Sequence, residues 1–334
     1  MLGLSFAPLR IPIRRRLQTL AVFYFCAQFL FLGFVYTIGM GSLMFTEYYW
    51  ITLLYLLWFI YDRKASYQGG HRRSWMRNLS AWKYFADFFP VKLMRTAKLS
   101  PDKNYIFGCH PHGILSFSHF VNFATEGTGF SKLFPKIVPH LITLNYQFWL
   151  PIHRDIILLS GTCEASRESI EYIISGKGRG NAAAIVIGGA NEVLKAAPNQ
   201  MILTLKRRKG FVRLAIKHGA SLVPVLSFGE NDLLNTPHKE DSLYNRIQEK
   251  IIKFISYPIP IFFGRGVFQY TIGLLPFRKP ITTIVGKPID TKRNENPTQK
   301  EIDDLHQRYI EALMQIFEEN KDKYCKGCDK LIIK

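Results

Sequence analysis

The chain has 334 residues, 48% of them apolar and 14% aromatic, with 44 basic against 25 acidic side chains and a formal net charge of +19. This length holds one large or two ordinary domains, and the charge calls for a negative partner. Nucleic acid is excluded, because the aromatic residues lie inside apolar runs rather than among the cations and no nucleic-acid motif is present; an anionic membrane surface and the phosphates of a nucleotide thioester remain.

From Leu17 to Tyr61 the only charged residue is Glu47. A bilayer core takes about 20 apolar helical residues per crossing, so Leu17 to Phe45 is long enough to span and Tyr48 to Tyr61 is short. Arg14, Arg15 and Arg16 precede this block, and Arg63, Lys64, Arg72 and Arg73 follow it. The positive-inside rule places both flanks in the cytosol. Residues 1–62 therefore read as a membrane hairpin, either two crossings or a re-entrant loop, with Gly33, Gly39 and Gly41 as candidate bends. The run is too long for a signal-peptide core, and no small-residue cleavage site follows it.

Residues 63–334 show no repeat or low-complexity linker and read as one cytosol-facing domain. Tyr105 to Cys109, Ala183 to Ile187, Met201 to Leu205, Leu222 to Ser227 and Ile281 to Val285 are strand-like, several of them apolar on both faces. Helical runs lie between them: Ser166 to Ser175, stopping near Gly176, and Phe211 to Lys217, stopping at Gly219. The last helix has the clearest signals. Pro297 precedes it, Thr298 and Glu301 form a capping box, and Ile302, Leu305, Tyr309, Ala312, Leu313 and Ile316 share one face. The alternation predicts an α/β sheet with flanking helices. Five cysteines make no disulfide framework, and Cys325 and Cys328 form a lone CxxC in what reads as a solvated tail.

His110, Pro111, His112 and Gly113 follow the first of these strands, so two imidazoles sit where a strand breaks into a turn. Histidine, with an unperturbed pKa of roughly 6.5, can take and return a proton near neutral pH, and strand ends of α/β sheets are where catalytic groups gather. Taken alone, such a pair is more often a turn with two solvated or hydrogen-bonded imidazoles.

Together with Asn122-Phe123-Ala124-Thr125-Glu126, the stretch YIFGCHPHG resembles the signature of the diacylglycerol acyltransferase type 2 family, which includes the monoacylglycerol and wax-alcohol acyltransferases. Further matching blocks follow in order: Gly188-Gly189-Ala190-Asn191-Glu192, Arg208-Lys209-Gly210-Phe211-Val212, Ser227-Phe228-Gly229-Glu230-Asn231, Gly264-Arg265-Gly266 and Pro280 to Gly286. The stretches Arg15 to Val22 and Gly266 to Tyr270 point to the monoacylglycerol branch. The resemblance implies a glycerolipid-acyltransferase-like sheet, an endoplasmic-reticulum membrane location and acyl transfer from acyl-CoA to monoacylglycerol, with no cofactor beyond the acyl-CoA co-substrate. Diacylglycerol or a long-chain alcohol are the alternative acceptors. A neutral-lipid-binding scaffold is the non-enzyme alternative, and a homo-oligomer is compatible with the sequence.

Such a transfer needs a base for the hydroxyl, a stabiliser for the oxyanion and a dry path for the acyl chain. His112 is the candidate base; His110 either shares that work or holds the turn. Related phosphate-lipid acyltransferases carry an aspartate five positions after the histidine, but here those positions are Leu115 and Phe117. The orienting acid must come from elsewhere. Glu192 is the candidate, at another strand end behind two glycines, with a helix-capping role as the alternative. Glu126 and His119 are runners-up that read as structural. Arg208 and Lys209, at a helix start, and Arg265, between two glycines, are candidates for the phosphates of coenzyme A. No cysteine or carboxylate stands at ligand spacing near the histidines, so no metal site is expected. Phe263 and Phe88 stand where related enzymes often have histidine and tyrosine. Phe29-Leu30-Phe31-Leu32 resembles a neutral-lipid motif of the family, although four apolar residues in a membrane run carry little information.

Overall fold

The structure is a computed structural model that describes residues 5–8, 10–175, 178–193, 196–236 and 261–334. Its centre is a seven-stranded sheet built from β1 (Lys92–Arg95), β2 (Tyr105–His110), β3 (Val138–Thr143), β4 (Cys163–Glu164), β5 (Asn181–Val186), β7 (Ser221–Phe228) and β8 (Thr282–Val285). The order across the sheet is β1-β8-β7-β2-β5-β3-β4. Strand β2 lies between β5 and β7 and runs parallel to both, with Gly108 level with Ile185 on one side and Pro224 on the other. Among the described strands of this sheet, only β7 and β8 pair antiparallel. A second ladder joins β6 (Met201–Leu203) to β9 (Leu331–Ile333). Met201 to Leu205 is therefore a strand at its start, as the sequence predicts, but outside the main sheet.

Every residue of β2 and β7 is buried, which explains their unbroken apolar runs: a parallel sheet covered on both faces has no polar side to show. On one face Phe107 packs with Phe123 and Phe130; on the other, Ile106 shares a core with Phe211 and the last helix, Gln299–Tyr324. That helix begins with the expected reciprocal Thr298–Glu301 capping box, a motif typically worth about 1 kcal/mol. Its buried face includes Ile302, Leu305, Tyr309, Leu313 and Ile316. A side chain at Gly108 would collide with the Tyr309 ring, so this glycine lets the helix reach the sheet. Gly219 ends the helix Gly210–His218 in a left-handed conformation, as the stop signal predicts. The expected stop at Gly176 lies outside the described residues.

The N-terminal block forms one helical rod over Ile13–Leu43, with a π-helical stretch at Gln28–Leu32, and it is long and apolar enough to cross a membrane. It turns at residues 44–48, around Glu47, before the shorter helix Tyr49–Tyr61. The glycines do not break the helix: Gly33, Gly39 and Gly41 all lie within it, and Gly33 admits the side chain of Leu150. The lower part of the rod belongs to the domain. Val22 and Phe25 are buried, and the Phe25 ring lies 5.2 Å from Phe85 and 5.3 Å from Phe117. Tyr55 donates to Asp155 at 2.5 Å, docking the second helix as well. Cys325 and Cys328 are buried, where the sequence suggests a solvated tail; they pack in the same core as the last helix.

Candidate active site

Strands β5, β2 and β7 are adjacent and parallel, so their carboxyl ends open on one edge of the sheet, where α/β folds place their ligand sites. His110 to Gly113 leave β2, Gly188 to Glu192 leave β5, and Gly229-Glu230 leave β7. The structure thus brings His110, His112 and Glu192 together, as expected, and adds Glu230.

The His112 ring is half-buried, and its Nδ1 lies 3.0 Å from the carbonyl of Gly113. A carbonyl only accepts, so Nδ1 carries the proton and Nε2 keeps the lone pair. Burial lowers the pKa of this imidazole, with the Gly113 carbonyl pulling the other way. The ring is consequently neutral at physiological pH and presents a basic nitrogen.

His110 is fully buried. The Tyr309 hydroxyl donates to Gly108 O at 3.0 Å and so accepts from His110 Nε2–H at 3.0 Å. Burial drives the His110 pKa down to about 3, with the field of His119 adding to it. His110 Nε2 is thus engaged by a side chain of the last helix within the core. The Nε2–H of His119 donates to Pro111 O at 2.9 Å.

Glu192 is placed differently from the expectation. One carboxylate oxygen accepts the main-chain N–H of His112 at 2.6 Å, and the other accepts that of Thr204 at 2.7 Å. The predicted carboxylate–imidazole bond is not made, because Gly113 O already satisfies the ring proton while the His112 N–H, beyond the end of its strand, has no ladder partner. The carboxyl is 2% exposed, and burial raises its pKa to about 7 against the opposing pull of the two N–H groups and Arg208. Gly188, at φ +122°, is needed beside it, since a Cβ there would lie 2.6 Å from the carboxyl carbon.

The sequence reading passes over Glu230, although the signal was present: a glycine and then a glutamate follow β7, much as they follow β5. Glu230 accepts the N–H groups of Phe117 at 2.8 Å and Ser118 at 2.9 Å. It is 3% exposed, and burial likewise raises its pKa to about 7. A Cβ on Gly113, at φ +61°, would lie 2.7 Å from its Cγ. Two buried carboxylates therefore brace the histidine turn, one at His112 and the other just beyond Gly113. Glu126 stands elsewhere, paired with Arg77 at 3.3 Å.

The three candidate cations separate. Arg208 belongs to the site, donating to Gly188 O at 3.3 Å. The Lys209 amine is ion-paired with Asp303 at 2.6 Å. Arg265 stacks on Tyr270, with its guanidinium carbon 4.1 Å from the ring centre. Among the described residues, no group of three His, Cys, Asp or Glu side chains is placed to hold a metal.

The arrangement can accept a proton at His112 Nε2 on a turn of fixed shape, which suits attack by a hydroxyl on a carbonyl. A family model for diacylglycerol acyltransferase matches residues 42–334. The chain is 44% identical to 2-acylglycerol O-acyltransferase 1 of Bos taurus, over 96% of each chain. It is 45% identical to diacylglycerol O-acyltransferase 2 of Danio rerio, over 97% of this chain and 91% of the relative. Among solved structures, it aligns with 1-acyl-sn-glycerophosphate acyltransferase from Thermotoga maritima at a TM-score of 0.41 and 12% identity, over 94% of this chain and 99% of that one.

Proposed function

The chain belongs to the diacylglycerol acyltransferase family, and from that premise we propose that it transfers a fatty acyl group from acyl-CoA to monoacylglycerol. The class of reaction, acyl-CoA-dependent acyl transfer in neutral-lipid synthesis, follows from the membership. The acceptor is our own reading, supported by the similarity to 2-acylglycerol O-acyltransferases.

The mechanism rests on one observation: the bond from His112 Nδ1–H to Gly113 O leaves Nε2 as the acceptor. Nε2 takes the proton of the glyceride hydroxyl as its oxygen adds to the thioester carbonyl. The tetrahedral intermediate collapses to the new ester, and the CoA thiolate leaves with the proton returned by the imidazolium. Glu192 and Glu230 act through the backbone, holding the turn so that Nε2 faces the reacting atoms. Arg208, with its guanidinium beside Gly188, is the cation we assign to a phosphate of CoA; the Lys209 charge is already engaged by Asp303. The apolar rod and its flanking arginines support a membrane placement with the catalytic domain in the cytosol, and the family resemblance points to the endoplasmic reticulum.

Diacylglycerol is the second reading, favoured by the 45% identity to a diacylglycerol O-acyltransferase 2. Membranes containing the chain, supplied with labelled acyl-CoA and monoacylglycerol, diacylglycerol or a long-chain alcohol, separate the acceptors. Labelled diacylglycerol as the main product supports the proposal. Triacylglycerol or wax ester as the main product overturns the acceptor.

A further inference from the structure

Arg265 sits on a loop that folds back on itself. Its N–H donates to Leu275 O at 2.6 Å, and the Leu275 N–H returns a bond to Arg265 O at 2.9 Å. Gly264 and Gly273 permit this approach, since a Cβ on either would run into the facing main chain. The loop holds Arg265 at 9% exposure, with its guanidinium carbon 4.1 Å from the Tyr270 ring centre and 5.9 Å from that of Phe88. A second guanidinium, from Arg278, lies 4.0 Å from the same Phe88 ring. It donates to Gln18 Oε1 at 2.6 Å.

These two cations share one aromatic ring, and their hydrogen-bond acceptors are neutral. Among the described residues, no carboxylate pairs with either. Asp87, adjacent to Phe88, is taken by Arg14 at 2.7 Å and Lys83 at 3.4 Å. Charges withdrawn from water without a counter-ion are costly, and here the strain is visible: burial, then the fields of Arg15 and Arg265, lower the Arg278 pKa to about 10. A merely solvating surface would leave these side chains in water. Instead the fold collects them and, among the described residues, supplies no acid.

We propose that Arg265 and Arg278 bind a phosphate group presented at the membrane surface. Paired planar guanidinium forks match phosphate oxygens in a way that lysines do not. Gln18, which fixes Arg278, lies near the start of the apolar rod, directly after the Arg14 to Arg16 run, the end of the rod at which anionic headgroups would meet these cations. The phosphate comes either from an anionic phospholipid or from the nucleotide part of acyl-CoA. The inference rests on the membrane placement of the rod but not on His112 or the acceptor.

The test uses the purified full chain in neutral detergent and reads binding without acyl transfer. The probes are adenosine 3′,5′-bisphosphate and phosphatidylcholine vesicles with or without phosphatidate. Arg265→Gln, Arg278→Gln and the double variant remove charge, Arg278→Lys keeps charge but loses the fork, and Lys83→Gln removes a neighbouring cation. Losing charged hydrogen bonds to a phosphate predicts binding about tenfold to a hundredfold weaker in the double variant. Arg278→Lys is also weakened, and Lys83→Gln binds like wild type. A loss confined to the nucleotide identifies CoA as the source; a loss confined to phosphatidate vesicles identifies the lipid. Unchanged binding of both probes by the double variant overturns the site. So does an equal loss in Lys83→Gln, which would mean diffuse surface charge.

Discussion

Glu192 accepts the main-chain N–H of His112 at 2.6 Å and makes no bond to its imidazole. Both carboxylate oxygens serve as acceptors, the second for the Thr204 N–H. Glu192→Gln therefore turns one of two short bonds into opposed N–H groups. We expect the variant to accumulate normally and lose most activity, with kcat falling more than KM rises. Retention of most activity, measured with saturating acyl-CoA, would show that the turn does not need this carboxylate.

Glu230 has the same two-acceptor geometry toward Phe117 and Ser118, so Glu230→Gln is expected to impair kcat in the same way. Gly113→Ala is expected to do so through the opposite partner, because its Cβ would press on Glu230 from a left-handed backbone. Near-normal kcat in both variants would remove the Glu230 brace from the account.

Raised carboxyl pKa values also make a linkage prediction. Glu192 and Glu230 titrate near 7 when folded, against an ordinary value of 4.5. The folded state then binds more protons between those values, so the contribution is full below 4.5 and is lost as pH rises through 7. The size is on the order of 3 kcal/mol per group. The thermal stability of wild type relative to Glu230→Gln should fall as pH rises across that window. A gap that is constant or widens would contradict the assignment.

His112 titrates in the opposite sense, its pKa being lowered by burial. The acidic limb of kcat/KM should therefore lie below the ordinary histidine value of roughly 6.5. A limb well above that value would point to an imidazole stabilised in its charged form.

Tyr309→Phe removes the hydroxyl that accepts from His110 and donates to Gly108 O. Both partners are buried, so the loss is expected to cost about 1–3 kcal/mol of stability. A thermal-unfolding shift near zero would mean that another group replaces the hydroxyl.

The histidine turn, the five strand-like runs and the Thr298 cap were legible because each rests on local chemistry: apolar runs, glycine stops and a short capping motif. Strand β3 was not, since Pro139 and His140 interrupt its apolar pattern and only sheet neighbours reveal it. Nor was the pairing of Met201–Leu203 with Leu331–Ile333, strands more than a hundred residues apart in sequence. The Glu192 partner was misjudged for a related reason. Sequence shows that an acid reaches the turn, but whether it meets a ring or an N–H depends on which donors the neighbouring strands leave unpaired.

We expect the hairpin to leave both termini in the cytosol, since cations flank the apolar block at each end. The second helix, Tyr49–Tyr61, has 13 residues and spans about 20 Å, short of the bilayer core. Protease added to sealed microsomes should digest tags at both ends. Protection of one tag would contradict the hairpin.

The central claim is that His112 Nε2 is the base, and His112→Ala in purified membranes tests it most directly. With labelled acyl-CoA and monoacylglycerol, the turnover of a normally accumulating variant should fall by about a hundredfold to ten-thousandfold. Near-wild-type turnover would contradict it.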